Sequence, residues 1–304
     1  MKRITLLFLS LLLVGCQSSP HADSQNEISS NQENAANNET SEETEASSEE
    51  NIEEADSAKS DGTRSAWTDY SAYAELDEEG YGYYIHDDPD VSSEIFPLHT
   101  TNSEDVLLFT FDDAPQMPEA YSLEIAKTLK EKDVNAIFLV NGMYLEETEG
   151  RDMIREVYDM GFEIGNHTQT HANLRELTYD QQYEEISQTS QMVEEITGEK
   201  PRWFRPPFGL FNMDTILICN ELGMQLMTWS FGYDWMDEYL DGDALAEVSV
   251  NNEYLRGGAN ILMHDRSWTS DALARMIDGY REKGYHIVDP LIIKSQENST
   301  APMQ

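Results

Sequence analysis

A chain of 304 residues is long enough for one large domain or two modest ones, and its 59 acidic residues against 19 basic ones leave a formal charge of -40. So negative a surface argues against nucleic acid as a partner, because phosphate binding needs clustered Lys and Arg. It argues equally against direct attraction to anionic lipid headgroups.

The chain starts with a processing signal. Lys2 and Arg3 precede the apolar run 4–14, and small residues follow at its end, the layout of an export signal. The run is too short to span a membrane comfortably. Its close, "LVGC", resembles the lipobox of bacterial lipoproteins, which implies cleavage before Cys16 and lipidation of its sulfur. Several acyl chains on one residue anchor a protein stably where one does not. The expected location is therefore the outer face of the bacterial cell membrane. With Cys16 lipidated, Cys219 has no intrachain partner, and its place in the apolar run 216–219 reads as a small buried hydrophobe. Residues 17–66 carry no aromatic residue and are rich in Ser, Asn and Glu, a composition expected to be a disordered acidic linker. As a flexible coil it would reach roughly 40 Å, enough to lift a domain into a cell wall. Between 67 and 100 the composition changes. Tyr70, Tyr73, Tyr81, Tyr83, Tyr84 and Phe96 predict an ordered extension packed on the main domain rather than a sugar-stacking surface.

A regular pattern begins at Val106. "VLLFTF" precedes a predicted helix over about 119–132, "NAIFLV" one over 151–160, and "FEIGN" one over 179–196. "RWFRPP" precedes a helix over 213–222, "MQLMTWS" one near 244–254 and "ANILM" one over 270–283, and "YHIVD" closes the series. Alternating strands and helices with nearly continuous apolar strands predict a parallel α/β architecture. Seven such strands favour a barrel over an open sheet. The domain is expected to cover 101–295, with a tail from 296 to 304.

Polar residues cluster where these strands stop. Asp112 and Asp113 follow the first strand, His167 follows "FEIGN", and Arg205 follows "RWF". Asp234 and Trp235 follow "LMTWS", and His264 and Asp265 follow "NILM". In a parallel barrel these ends share one rim, where active sites are built. His167 and His171, four residues apart, supply two imidazoles, and a carboxylate from the first strand end supplies a third ligand. Such a set holds a divalent metal and leaves a position open.

In chain order, "FTFDDAP", "HTQTH", "RPPFG", "YDW" and "ILMHD" resemble the five motifs of the NodB-homology polysaccharide deacetylases, carbohydrate esterase family 4, over about 106–290. The resemblance implies a distorted (β/α)7 barrel and metal-dependent removal of acetyl groups from amino sugars. Carried over by position, it implies Asp113, His167 and His171 as metal ligands and Asp112 as the general base toward water. It implies Arg205 as the group that orients and keeps charged that base, and the Phe208 backbone N–H as an oxyanion donor. His264 resembles the general acid, Asp234 its partner, and Trp235 and Leu262 the walls around the acetyl methyl. Three departures stand out: Ala114 where Gly is usual, Phe208 where Tyr is common, and "WSFGYDW" one residue shorter than the expected form. Zn²⁺ suits the donor set, and Co²⁺, Ni²⁺ or Mn²⁺ also fit it. The expected activity is N-deacetylation of a cell-envelope polysaccharide, peptidoglycan foremost, by a monomer. The alternatives are an O-acetyl xylan-type esterase and a non-catalytic carbohydrate-binding lipoprotein on the same fold.

Overall fold

The computed structural model describes residues 65–296. The export signal, Cys16, the linker up to residue 64 and the tail from 297 lie outside the described residues. In chain order the elements are β1 (Tyr83–Ile85), β2 (Ile95–Pro97), β3 (Val106–Ala114), α1 (Ser122–Glu131), β4 (Ile137–Val140) and α2 (Thr148–Asp159). There follow β5 (Glu163–Asn166), α3 (Tyr179–Thr197), β6 (Trp203–Phe204), α4 (Met213–Leu222) and β7 (Gln225–Leu226). The chain closes with α5 (Gly242–Val250), β8 (Ala259–His264), α6 (Ser267–Glu282), β9 (His286–Ile287) and β10 (Ile293–Lys294). No described helix is long and apolar enough to cross a membrane.

The seven strands β3 to β9 form one parallel sheet in the order β7-β6-β5-β4-β3-β8, with β9 also pairing to β3. The sheet is a curled half-barrel with helices outside, consistent with the distorted (β/α) barrel expected from the sequence. Side chains alternate across β3. Leu107, Phe109 and Phe111 join the core under the helices, whereas Val106 and Leu108 join Leu139, Trp203 and Met227 in a second core. Because both faces are covered, the strands read as near-continuous apolar runs. Helix α6 answers with Thr269, Ala272, Leu273, Met276, Ile277 and Tyr280 buried, an i, i+3, i+4, i+7 stripe.

Helix ends are set locally. Thr178 and Gln181 form a capping box at α3, and Asn212 and Thr215 form another at α4. Cys219 is buried, and burial pushes its thiol pKa up, as expected for a packed residue rather than a nucleophile.

The stretch 67–100 contributes β1 and β2 to a small sheet that the C-terminal β10 completes, in the order β10-β1-β2. Residues 92–95 then bond to the segment after β7 and to the start of β8. Thr228 N donates to Ser92 O at 3.2 Å, Ser230 Oγ to Ser93 O at 2.6 Å, and Ile95 N to Gly258 O at 2.8 Å. Phe231 bridges directly to Ile261. Trp67 meets Phe162 edge-on at 5.7 Å, with Lys130 Nζ 3.4 Å above the indole. Buried Asp289 ties both ends of the domain together. It accepts from Trp67 N, Thr68 N and Thr68 Oγ1 through one oxygen, and from Asn135 Nδ2 and Leu291 N through the other.

Candidate active site

Two adjacent carboxylates on a regular strand would point to opposite faces. Asp112 shares the inner face with Thr110, but Asp113 by alternation would turn toward the helices. The register against β4 shifts between Phe111 and Ala114, and Asp113 has φ 63°. That irregularity brings both carboxylates to one cleft. Ala114 remains in the strand at the position where Gly was the usual residue.

The second ligand loop is also contorted. Thr168 has φ 69° and His171 φ 58°, and Phe208 in the neighbouring one-turn helix Pro207–Gly209 has φ 59°. Of the five non-glycine residues at positive φ among the described residues, only Asp133 lies away from this rim. Such conformations persist where surroundings over-determine them, and they cluster at functional sites. Here Asn141 Nδ2 donates to His167 O at 2.6 Å, Asn166 Oδ1 accepts from Thr168 N at 2.8 Å, and Thr168 Oγ1 accepts from His171 N at 3.1 Å.

Asp113, His167 and His171 each offer one ligand atom, all within 4.8 Å of one another. Asp113 Oδ1 lies 3.9 Å from His167 Nε2 and 3.6 Å from His171 Nε2. Bonds of about 2.0–2.1 Å at tetrahedral angles place ligand atoms roughly 3.3 Å apart, so a divalent ion needs only a small contraction. His167 Nδ1 contacts Arg205 O at 2.7 Å, which as a donor leaves Nε2 with its lone pair free for a metal. Burial opposes ionisation of Asp113, but His167, His264, His171 and Arg266 outweigh it and hold the carboxyl below its ordinary value. Burial and the neighbouring His167 lower the His171 pKa, favouring the neutral ring that a metal ligand requires. The donor set fits the cation the sequence implied.

Asp112 is buried behind this triad. Its Oδ1 accepts from Arg205 Nη1 at 2.7 Å, and its Oδ2 lies 3.6 Å from His167 Nε2. Arg205 is fully buried and held by Thr110 Oγ1 at 2.8 Å, Thr228 O at 3.0 Å and Asn260 Oδ1 at 3.1 Å. On the opposite wall Asp234 Oδ1 pairs with His264 Nδ1 at 2.7 Å. Asp234 Oδ2 accepts from His264 N at 2.6 Å and from Thr269 Oγ1 at 2.7 Å. Burial opposes the charged imidazole, but Asp234, with Asp112 and Asp113, raises the His264 pKa above its ordinary value. The shortened "WSFGYDW" segment thus still delivers Asp234 to His264.

A cavity of about 430 Å³ joins these groups: Asp112, Asp113, His167, His171 and His264 line it. Phe208, Trp229, Trp235 and Leu262 complete its walls. Phe208 packs edge-on against His171 at 4.6 Å while staying 62% exposed, and Trp235 packs edge-on against His264 at 5.5 Å. Gly232 makes room for that indole, since a Cβ there would fall 2.6 Å from the Trp235 ring. Every site residue expected from the sequence, Cys16 apart, reaches this cleft or, like Arg205 and Asp234, directly contacts a residue lining it. The aromatic residues of 67–100 are not among its lining residues.

Sequence reasoning missed the supporting shell. Arg266 Nη2 donates to Asp113 Oδ2 at 3.2 Å, and Trp268 Nε1 donates to Asp234 O at 2.7 Å. Thr110 carries a readable signal, standing two residues before Asp112 on the same strand face. Asn260, a lone amide in an apolar strand, carries another.

Comparison with known proteins agrees with this geometry. Residues 99–227 match the family model of the polysaccharide deacetylases. The chain is 28% identical over 192 residues to a peptidoglycan-N-acetylglucosamine deacetylase of Bacillus cereus, covering 62% of this chain and 87% of that one. It is 29% identical over 178 residues to a bifunctional xylanase/xylan deacetylase of Cellvibrio japonicus, covering 58% of this chain but only 25% of that protein. Among solved structures, a carbohydrate esterase family 4 pseudoenzyme of Bacillus anthracis superposes with a TM-score of 0.55 at 30% identity, covering 60% of this chain and 63% of that one. A mutant of that pseudoenzyme is described as having restored enzymatic activity. With the motif-bearing strand ends meeting in one cleft, these matches support a NodB-type polysaccharide deacetylase domain of carbohydrate esterase family 4 over the matched residues.

Proposed function

We propose that the protein is a metal-dependent hydrolase that removes N-acetyl groups from the amino sugars of a cell-envelope polysaccharide, with peptidoglycan as the leading substrate. One observation carries the reading: Asp113, His167 and His171 come within ligand distance of one another on the same cavity as Asp112 and His264. A divalent ion held by that triad, Zn²⁺ foremost, would supply Lewis acidity, polarising the acetyl carbonyl and acidifying a water. The protein's own groups do the rest. Asp112 takes the proton of the attacking water, and the Arg205 guanidinium holds that carboxylate ionised and aimed. The Phe208 backbone N–H stabilises the oxyanion. His264, charged through Asp234, gives its Nε2 proton to the departing amine. Trp235 and Leu262 enclose the acetyl methyl.

The similarity to peptidoglycan deacetylases supports an envelope substrate, and the export signal with Cys16 supports a lipid-anchored protein outside the cell membrane. The similarity to a xylan deacetylase favours O-deacetylation as a second reading, and that to a pseudoenzyme favours a binding role. The presence of both the base and the full ligand set weighs against the last. Acetate release from peptidoglycan, N-acetylchitooligosaccharides and acetylated xylan, with and without chelator, separates the three. The expected result is chelator-sensitive release from an amino-sugar polymer. Release from xylan alone, or from nothing, sinks the N-deacetylase reading.

A further inference from the structure

Asp113 has two carboxylate oxygens, and the ligand triad needs only one. Its Oδ1 approaches both imidazoles, 3.9 Å from His167 Nε2 and 3.6 Å from His171 Nε2. Its Oδ2 accepts from Arg266 Nη2 at 3.2 Å. None of the roles above uses that second contact.

A surface ion pair is often worth little, because long side chains lose freedom in forming it. Arg266 is held more firmly than that. It precedes α6 on extended backbone, and its Nη1 donates to Asp265 O at 3.0 Å. Asp265 is itself buried and fixed. Its N donates to Asp112 O at 3.2 Å, and its carboxylate accepts from Gln116 N at 2.9 Å, from Ser122 Oγ at 2.8 Å and from Tyr121 N. The turn that follows His264 thus sets the guanidinium on Asp113.

An unrestrained carboxylate can give a cation one oxygen or both. With two imidazoles the difference matters. Three protein ligand atoms leave a position open, and a fourth closes it. A guanidinium on Oδ2 competes for the lone pairs of that oxygen, and its charge repels a dication that shifts toward it.

We propose that Arg266 is a positioning residue that keeps Asp113 a one-oxygen ligand and so keeps a coordination position free for water and the acetyl oxygen. The role rests on the metal-dependent reading above and acts through Asp113, not on the substrate. It predicts the opposite of a plain brace. Loss of an outer partner that only steadies a ligand costs about 10–100-fold in metal affinity. Loss of Arg266 should cost none, because a second oxygen becomes available and a like charge is removed.

The test uses the full chain, stripped of metal and titrated with Mn²⁺. The EPR signal of the free ion gives the affinity, and the relaxation that the bound ion imparts to water protons gives the number of bound waters. Arg266→Met keeps an unbranched apolar stem but has neither donor nor charge. It should bind Mn²⁺ at least as tightly as the wild type while carrying about one bound water fewer. Arg266→Ala, which vacates the same place, should match it. Arg266→Lys retains a cationic donor and should keep the wild-type water count. An unchanged water count in both Arg266→Met and Arg266→Ala overturns the proposal, and so does a loss of affinity as large as a plain brace predicts. If the wild-type chain binds no Mn²⁺, the metal-dependent reading falls and takes this role with it. If waters and affinities behave as expected but the wild type releases no acetate from an amino-sugar polymer, the deacetylase reading fails and the role of Arg266 stands.

Discussion

Asp112 and Asp113 are neighbours in sequence yet have different surroundings. Asp113 faces two imidazoles and Arg266, while Asp112 faces the buried guanidinium of Arg205. Asp112→Asn should therefore lower kcat by about 10²–10⁴-fold, with metal content after dialysis unchanged because Asp113, His167 and His171 remain. Metal content falling in step with activity would reassign Asp112 as a ligand. The acid side yields a pH prediction. Burial pulls the His264 pKa down, and Asp234, with Asp112 and Asp113, more than compensates. A general acid works only below its pKa, so the alkaline limb of kcat/KM follows the His264 pKa. Asp234→Asn removes the compensation and leaves the burial, and the alkaline limb should move to lower pH. A limb that stays in place means that another group donates the proton.

Among the elements, β3 and β8 do most to build the site, because they pair in register from Leu107 to Asp112 against Ala259 to His264. That register sets Asp112 opposite His264, and it places Thr110 and Asn260 where both reach Arg205. Asn260 also donates to Thr228 O at 3.0 Å, linking β8 to the segment after β7. Asn260→Leu conserves volume but strips Arg205 Nη2 and Thr110 Oγ1 of a shared acceptor. The expected cost is about 2 kcal/mol, seen as a lower urea midpoint with an unchanged m-value. No change in midpoint would mean that the Arg205 cradle contributes nothing to stability. Helix periodicity located the six helices closely, and for α4 the predicted span 213–222 and the observed one coincide. Strands β1, β2 and β10 escaped because they stand outside the strand–helix alternation that marks β3 to β9.

For the whole molecule, the stretch 67–100 braces the seam where the segment after β7 meets β8 through the Phe231–Ile261 bridge. Residues 92–95 bond to Thr228 and Ser230 on one side of that seam and to Gly258 on the other, and Asp289 binds Trp67 and Thr68 to the C-terminal strands. Asp289→Ala would leave several buried donors without an acceptor, at about 3 kcal/mol in total. For a domain of this size that lowers Tm by roughly 6–12 °C, measurable by calorimetry. A shift under 1 °C would show that the junction is dispensable.

The order of strands and helices and the residues able to carry acid–base and metal chemistry were legible in the sequence, because hydrophobic period and motif spacing are local properties. Which carboxylate binds and which abstracts came at that stage from family resemblance rather than from spacing, since alternation alone would have sent them to opposite faces. The tertiary structure turns both into one cleft through a register shift and a left-handed backbone at Asp113. It also decided that Arg266, Trp268, Thr110 and Asn260 support the site, because these partners lie 32 to 153 residues away along the chain and meet only when the strand ends share one rim.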